Sequence, residues 1–157
     1  MVARLANGTA ACWGDRTFGQ CATPIDLGVV RAISGGGSHT AALRADGTVR
    51  CWGNNGSGQS AVPVGLDAVT SVGAGGYHTV ALRADGTVVC WGGSGVIDRG
   101  QSTVPAGLAG ARAVSAGGYH TVSLVATTMC PSDVDGSGTT DGADLSILLG
   151  SWGATCP

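Results

Sequence analysis

Four aspartates crowd into a short stretch near the end of the chain. Asp133, Asp135, Asp141 and Asp144 fall within DVDGSGTTDGAD, and no basic side chain lies anywhere in residues 129–157. Carboxylates packed this closely repel one another unless a cation sits between them. Their spacing suits one cation in particular. Calcium takes six to eight hard oxygen ligands, and a loop delivers them from its positions one, three, five, seven, nine and twelve. Here those positions are Asp133, Asp135, Ser137, Thr139 through its backbone carbonyl, Asp141 through a water, and Asp144. Gly138 stands at position six, where such a loop turns sharply. The sequence therefore predicts calcium as the cofactor. Its role is to order a tail too small to hold its own core.

The flanking residues add two expectations. Leu145, Leu148, Leu149 and Trp152 recur at i, i+3, i+4 and i+7, the apolar face of a short helix. Trp152 either caps a small core of this tail or anchors a partner. Cys130 and Cys156 bracket the segment, and a disulfide between them would staple it. The loop and exiting helix, with no entering helix, resemble the EF-hand-like repeat of dockerins, and more closely the single-loop, cysteine-flanked dockerin-like tails of secreted bacterial proteins. Dockerins usually carry two such loops, whereas this chain shows one, with Ser137 where Asp is commoner. That resemblance implies attachment, with a cohesin-like module as the kind of partner.

Three histidines invite a catalytic or metal reading, but each belongs to a recurring string. His39, His78 and His120 stand in SHTAAL, YHTVAL and YHTVSL. Trp13, Trp52 and Trp91 stand in ACWG, RCWG and VCWG, spaced by 39 residues. A structural, hydrogen-bonding role is expected for the histidines, and a seam-filling role between units for the tryptophans. No Ser-His-Asp or paired-carboxylate constellation rises above the repeat background, so the chain is read as non-enzymatic. Cys12 and Cys21 flank one Trp-Gly…Gly-Gln loop and can pair. Cys51 and Cys90 have Ser60 and Ser102 where Cys21 would be, and are read as buried thiols.

The elements that must position these residues are short strands. A full unit runs HTxAL, then Asp-Gly, then a β-rich stretch ending in Trp-Gly, followed by Gly-Gln and Pro; the first string enters after the His block, and the last, HTVSL, stops before the hairpin. Asp46-Gly47, Asp85-Gly86 and Asn7-Gly8 signal two-residue hairpin turns. The last interval stretches to 42 through an insertion near Val96–Asp98, which marks a surface loop. Gly-Gly pairs before the histidines allow close backbone approach between neighbouring units. About three strands per unit are too few to bury both faces, so units must stack.

The order G-G-x-H-T-x-A-L-x-x-D-G-T-V-x-x-W-G-x-x-x-x-G-Q resembles the regulator of chromosome condensation repeat family, in its compact bacterial form. The resemblance covers roughly residues 1–126. It implies an all-β, β-propeller-type array of about three blades, read as an incomplete ring or open arc. Residues 1–128 form the repeat domain and residues 129–157 the calcium segment.

Composition sets the remaining bounds. All ten acids are Asp and all eight basic residues are Arg, against the usual Glu and Lys of exposed helices. Residues 1–128 carry eight Arg and six Asp without a basic stripe, which argues against nucleic acid as a partner. No apolar run is long enough to span a membrane. Six cysteines favour an oxidising compartment, although MVARLANGTA lacks a signal-peptide pattern. Either the protein is cytosolic or the start shown is not the natural one; the second is preferred, with an extracellular or cell-surface location. The expected function is a binding or scaffold protein with a protein or cell-surface partner. The alternative is an accessory component of a dockerin-anchored, carbohydrate-degrading assembly. Guanine-nucleotide exchange, which the repeat resemblance also implies, is disfavoured by the calcium chemistry.

Overall fold

The computed structural model describes residues 1–126. The calcium loop, its helix, Trp152 and the Cys130–Cys156 pair lie outside the described residues.

Ten strands and one 3-10 turn make up the described part. They are β1 (Val2–Arg4), β2 (Ala10–Cys12), β3 (Val30–Gly35), β4 (His39–Arg44), β5 (Val49–Gly53), β6 (Val69–Ala74), β7 (His78–Arg83), β8 (Val88–Gly92), β9 (Ala111–Ala116) and β10 (Thr121–Val125). The 3-10 turn, Gly95–Ile97, occupies the insertion, and Val96 points into solvent there. The strands form four small antiparallel sheets: β1-β2, β3-β4-β5, β6-β7-β8 and β9-β10. The fold is all-β. Two sheets are complete three-stranded units and the outer two hold two strands each. No strand pairing joins one sheet to the next among the described residues, so the sheets meet through side chains and loop contacts.

The reason these residues make hairpins is visible at the turns. Gly47 N–H donates to the Arg44 carbonyl at 3.1 Å, and Arg44 N–H to the Thr48 carbonyl at 2.9 Å. That pattern encloses three residues, Ala45-Asp46-Gly47, and only Gly47 has positive φ (83°). The expected two-residue turn is thus corrected to a three-residue loop, a turn followed by a left-handed glycine bulge. Asp46 serves a different purpose from the one expected. Its Oδ1 accepts from Thr48 N–H (2.9 Å) and from the Thr48 hydroxyl (2.7 Å). These bonds hold the Asp46 carboxyl below its ordinary pKa. The Asp85 loop repeats the arrangement, with Gly86 N–H donating to Arg83 and Thr87 N–H to Asp85 Oδ1.

Between sheets, alternation along each central strand builds the core. In β4 and β7 every residue from the histidine to the leucine is buried, one set facing each neighbour. Ala41, Leu43, Val69, Val72, Ala74, Ala81 and Trp91 form the cluster between the two complete sheets. Val80, Leu82, Val88 and Ala111 form the next. Burying a side chain such as Leu43 contributes about 2 kcal/mol. The Gly-Gly pairs close the same seams at one end. Gly37 N–H donates to the Gly75 carbonyl at 3.0 Å. A Cβ on Gly37 would meet the Gly76 carbonyl oxygen at 2.8 Å, and one on Gly76 would meet that of Gly118 at 2.6 Å. Only glycine fits such an approach.

Candidate binding surface and the seams behind it

The recurring polar residues converge in each seam on one carbonyl. In the best-formed seam, Gln59 contributes its backbone oxygen. The Thr79 hydroxyl donates to it at 2.8 Å and the Trp91 indole N–H at 3.1 Å. His39, from the preceding sheet, sits with Nε2 at 2.9 Å from Thr79 Oγ1. A threonine hydroxyl has one proton, and here it goes to Gln59. His39 therefore donates through Nε2–H, which fixes its tautomer and leaves Nδ1 as a bare lone pair. That Nδ1 is buried without a partner. Protonating it would place an N–H where nothing accepts. Burial, with a smaller contribution from His78, lowers the His39 pKa from its ordinary 6.5 to about 4. The histidine is neutral and structural.

The other seams repeat the chain of contacts in part. Thr40 and Trp52 both donate to the Gln20 carbonyl, each at 2.9 Å. His78 Nε2 meets Thr121 Oγ1 at 2.9 Å, and Thr121 donates to the Gln101 carbonyl at 2.9 Å. Burial again lowers the His78 pKa. His120 is exposed and has no such threonine among the described residues. Trp52 and Trp91 are buried between sheets, whereas Trp13 is 48% exposed.

Sequence reasoning missed the threonine and the glutamine. Both were visible as constants, Thr directly after each His and Gln in three matching Gly-Gln pairs, yet neither type suggests chemistry on its own. The glutamine side chains fold back to brace their own loops: Gln59 Oε1 accepts from Ser57 N–H at 2.8 Å, and Gln101 Oε1 accepts from Arg99 N–H at 2.6 Å.

Cys12 and Cys21 are joined as a disulfide. Cys51 and Cys90 are free and half-buried. Burial pushes the Cys51 thiol up to about 12 and raises Cys90 as well, so neither is a ready nucleophile at neutral pH. Among the described residues no three His, Cys, Asp or Glu side chains gather as a metal site. No helix among them is long and apolar enough to cross a membrane.

Two exposed aromatic side chains adjoin on the outside. Tyr77 and Tyr119 occupy the residue before consecutive histidines, with ring centroids 5.3 Å apart and planes tilted by 36°. Both are exposed, Tyr119 to 48%. Adjacent surface tyrosines offer rigid apolar area with a polar rim, the composition of a binding patch. The seams beneath hold their backbones in register. Beside them lies a cavity of about 400 Å³ that includes Gln101, Tyr119, His120 and Thr121 in its lining.

A series of hairpin sheets, cross-linked by recurring polar seams, defines a repeat protein. Residues 30–59 and 69–101 match the Regulator of chromosome condensation (RCC1) repeat, so the chain carries two repeats of this pattern. Solved structures share the fold. The ectodomain of the receptor kinase CR4 from Physcomitrella patens is 30% identical, with a TM-score of 0.63 over 80% of this chain and 33% of that one. Human WBSCR16 is 24% identical, with a TM-score of 0.63 over 80% and 42%. Yeast RCC1 (Prp20), solved with Kap60 bound to it, is 20% identical, with a TM-score of 0.59 over 75% and 38%. The chain thus spans well under half the length of each of these proteins. Among proteins of curated function none matches the sequence.

Proposed function

We propose that this chain is a non-catalytic, extracellular binding or scaffold protein of the RCC1 repeat family, with a calcium-ordered attachment tail at residues 129–157. The observation that carries the reading is the use made of the recurring polar side chains within the repeats. His39 and His78 are spent holding one sheet to the next, while Tyr77 and Tyr119 are left facing solvent. The stack is built to present a surface. A receptor ectodomain among its structural neighbours, and another neighbour solved with a protein bound to it, support a protein partner. The disulfide at Cys12–Cys21 accords with an oxidising compartment.

The tail reading rests on the spacing of Asp133, Asp135, Ser137, Thr139, Asp141 and Asp144. A bound calcium would draw these oxygens together and order the segment. Its resemblance to dockerins keeps a second role open, that of an accessory component anchored through a cohesin-like module.

Two experiments test the halves separately. Calorimetric titration of the full chain with calcium is expected to show one site, lost in Asp135→Asn; absence of binding at millimolar calcium overturns the tail reading. Screening the full chain against arrayed extracellular proteins and glycans is expected to give a protein ligand whose binding weakens at least tenfold in Tyr119→Ala. A ligand indifferent to both tyrosines, or turnover of any arrayed substrate, overturns the surface reading.

A further inference from the structure

The cavity beside Tyr119 has a counterpart one unit earlier, and there it is full. Val49, Cys51, Val62 and Leu66 pack against the cluster that contains the Trp91 indole, and the Gln59 carbonyl takes its N–H. The cavity is lined by the same four residues one unit on: Val88, Cys90, Val104 and Leu108. Gln101 and Thr121 complete it, standing where Gln59 and Thr79 stand around Trp91. The Gln101 carbonyl already accepts from Thr121, as Gln59 does from Thr79, but among the described residues no indole donates to it.

The backbone beside the cavity is open in the matching way. β4 and β7 are each paired on both edges, and in both the strand that follows sets its tryptophan opposite the threonine: Thr40↔Trp52 and Thr79↔Trp91. Among the described residues β10 is paired on one edge only, with β9, and its Thr121 has no cross-strand partner on the other. An unpaired edge next to an apolar socket is the setting for strand addition. Main-chain bonds then supply affinity, and the socket selects the side chain.

The geometry points to a peptide-binding site at β10: it takes an extended segment of a partner protein that carries a Trp-Gly pair after two or three apolar β-formers. The segment lies antiparallel to β10 with its tryptophan opposite Thr121. The indole enters the cavity and donates its N–H to the Gln101 carbonyl. The occupant's chemistry is set by what fills the equivalent space between β5 and β7. The proposal rests on the repeats being a binding array and names one partner class for them.

The test uses the full chain and a synthetic peptide of the sequence Asp-Gly-Thr-Val-Val-Ser-Trp-Gly, which is residues 85–92 with serine in place of Cys90. Hydrogen exchange is followed at the amides of Thr121–Val125. The peptide is expected to slow their exchange at least tenfold at saturation. The same peptide with alanine for tryptophan is expected to bind at least tenfold more weakly. Equal binding of the two peptides, or none, overturns the proposal. So does full protection of β10 before any peptide is added, which would put a later segment of the same chain at the edge. Self-association that the peptide cannot displace also overturns it, since a second copy would then be the occupant. These failures leave the calcium titration and the array screen untouched, so the two readings fall separately.

Discussion

Replacing Thr79 by valine removes one hydroxyl and almost no volume, so it isolates the seam's polar chemistry from its packing. Thr79 is fully buried. Its hydroxyl donates to the Gln59 carbonyl and accepts from His39. In Thr79→Val the Gln59 carbonyl keeps the Trp91 indole as a donor, so that end loses one bond of about 1 kcal/mol. The His39 end fares worse. Its Nε2–H is left buried with no acceptor, which costs about 1–3 kcal/mol. The sum is about 2–4 kcal/mol, partly offset by the extra buried methyl. Urea unfolding of the full chain, followed by tryptophan fluorescence, measures it. A double-mutant cycle with His39→Ala apportions it, and a coupling of at least about 1 kcal/mol is expected between the two positions. A Thr79→Val variant within 0.5 kcal/mol of the parent, a bound set by the scatter of unimportant substitutions, would refute the reasoning.

Other consequences follow from the same seams. Gly76→Ala drives a methyl to 2.6 Å from the Gly118 carbonyl oxygen, whereas Gly118→Ala meets nothing within 4 Å. The first is expected to cost about 1–3 kcal/mol in urea unfolding and the second little; equal costs would contradict the close approach. The low His39 pKa makes stability depend on pH. Between its ordinary 6.5 and about 4 the unfolded chain binds the proton more readily than the folded one. Stability from this residue is therefore full above pH 6.5, falls by about 3 kcal/mol as pH drops to 4, and is level below. Denaturant midpoints measured from pH 7 to pH 4 check the direction, and a flat profile contradicts it. Opening the Cys12–Cys21 link with Cys12→Ser frees a loop with a sequence separation of 9. A loss of about 2–3 kcal/mol in unfolding free energy is expected on loop-closure grounds; no change under non-reducing conditions would mean the bond does not form.

Most of the fold was readable because the repeats state it three times. Alternation in HTVALR and the glycine punctuation around it gave strands, and the strands are there. The turn length was misread because Asp-Gly is compatible with two hairpin geometries. What decides between them is the Thr48 side of Asp46, whose main-chain and hydroxyl protons both reach the carboxylate and favour the three-residue loop. The site was less legible. His and Trp attract notice for their chemistry, yet their partner is a main-chain oxygen of Gln59, and a main-chain atom leaves no trace in residue type. Tyr77 and Tyr119 lie 42 residues apart in sequence and stack only because neighbouring sheets place equivalent positions side by side. Their pairing is a product of the stacking, which no local pattern reports.

That stacking depends on His39 being a neutral donor through Nε2, and nitrogen-detected NMR of the imidazole observes this directly. A long-range ¹⁵N spectrum of the full chain across a pH titration should show Nε2 protonated and Nδ1 bare at neutral pH, with the ring charging only near pH 4. An Nδ1–H tautomer, or a midpoint close to 6.5, would mean that the seams are not held in the way described.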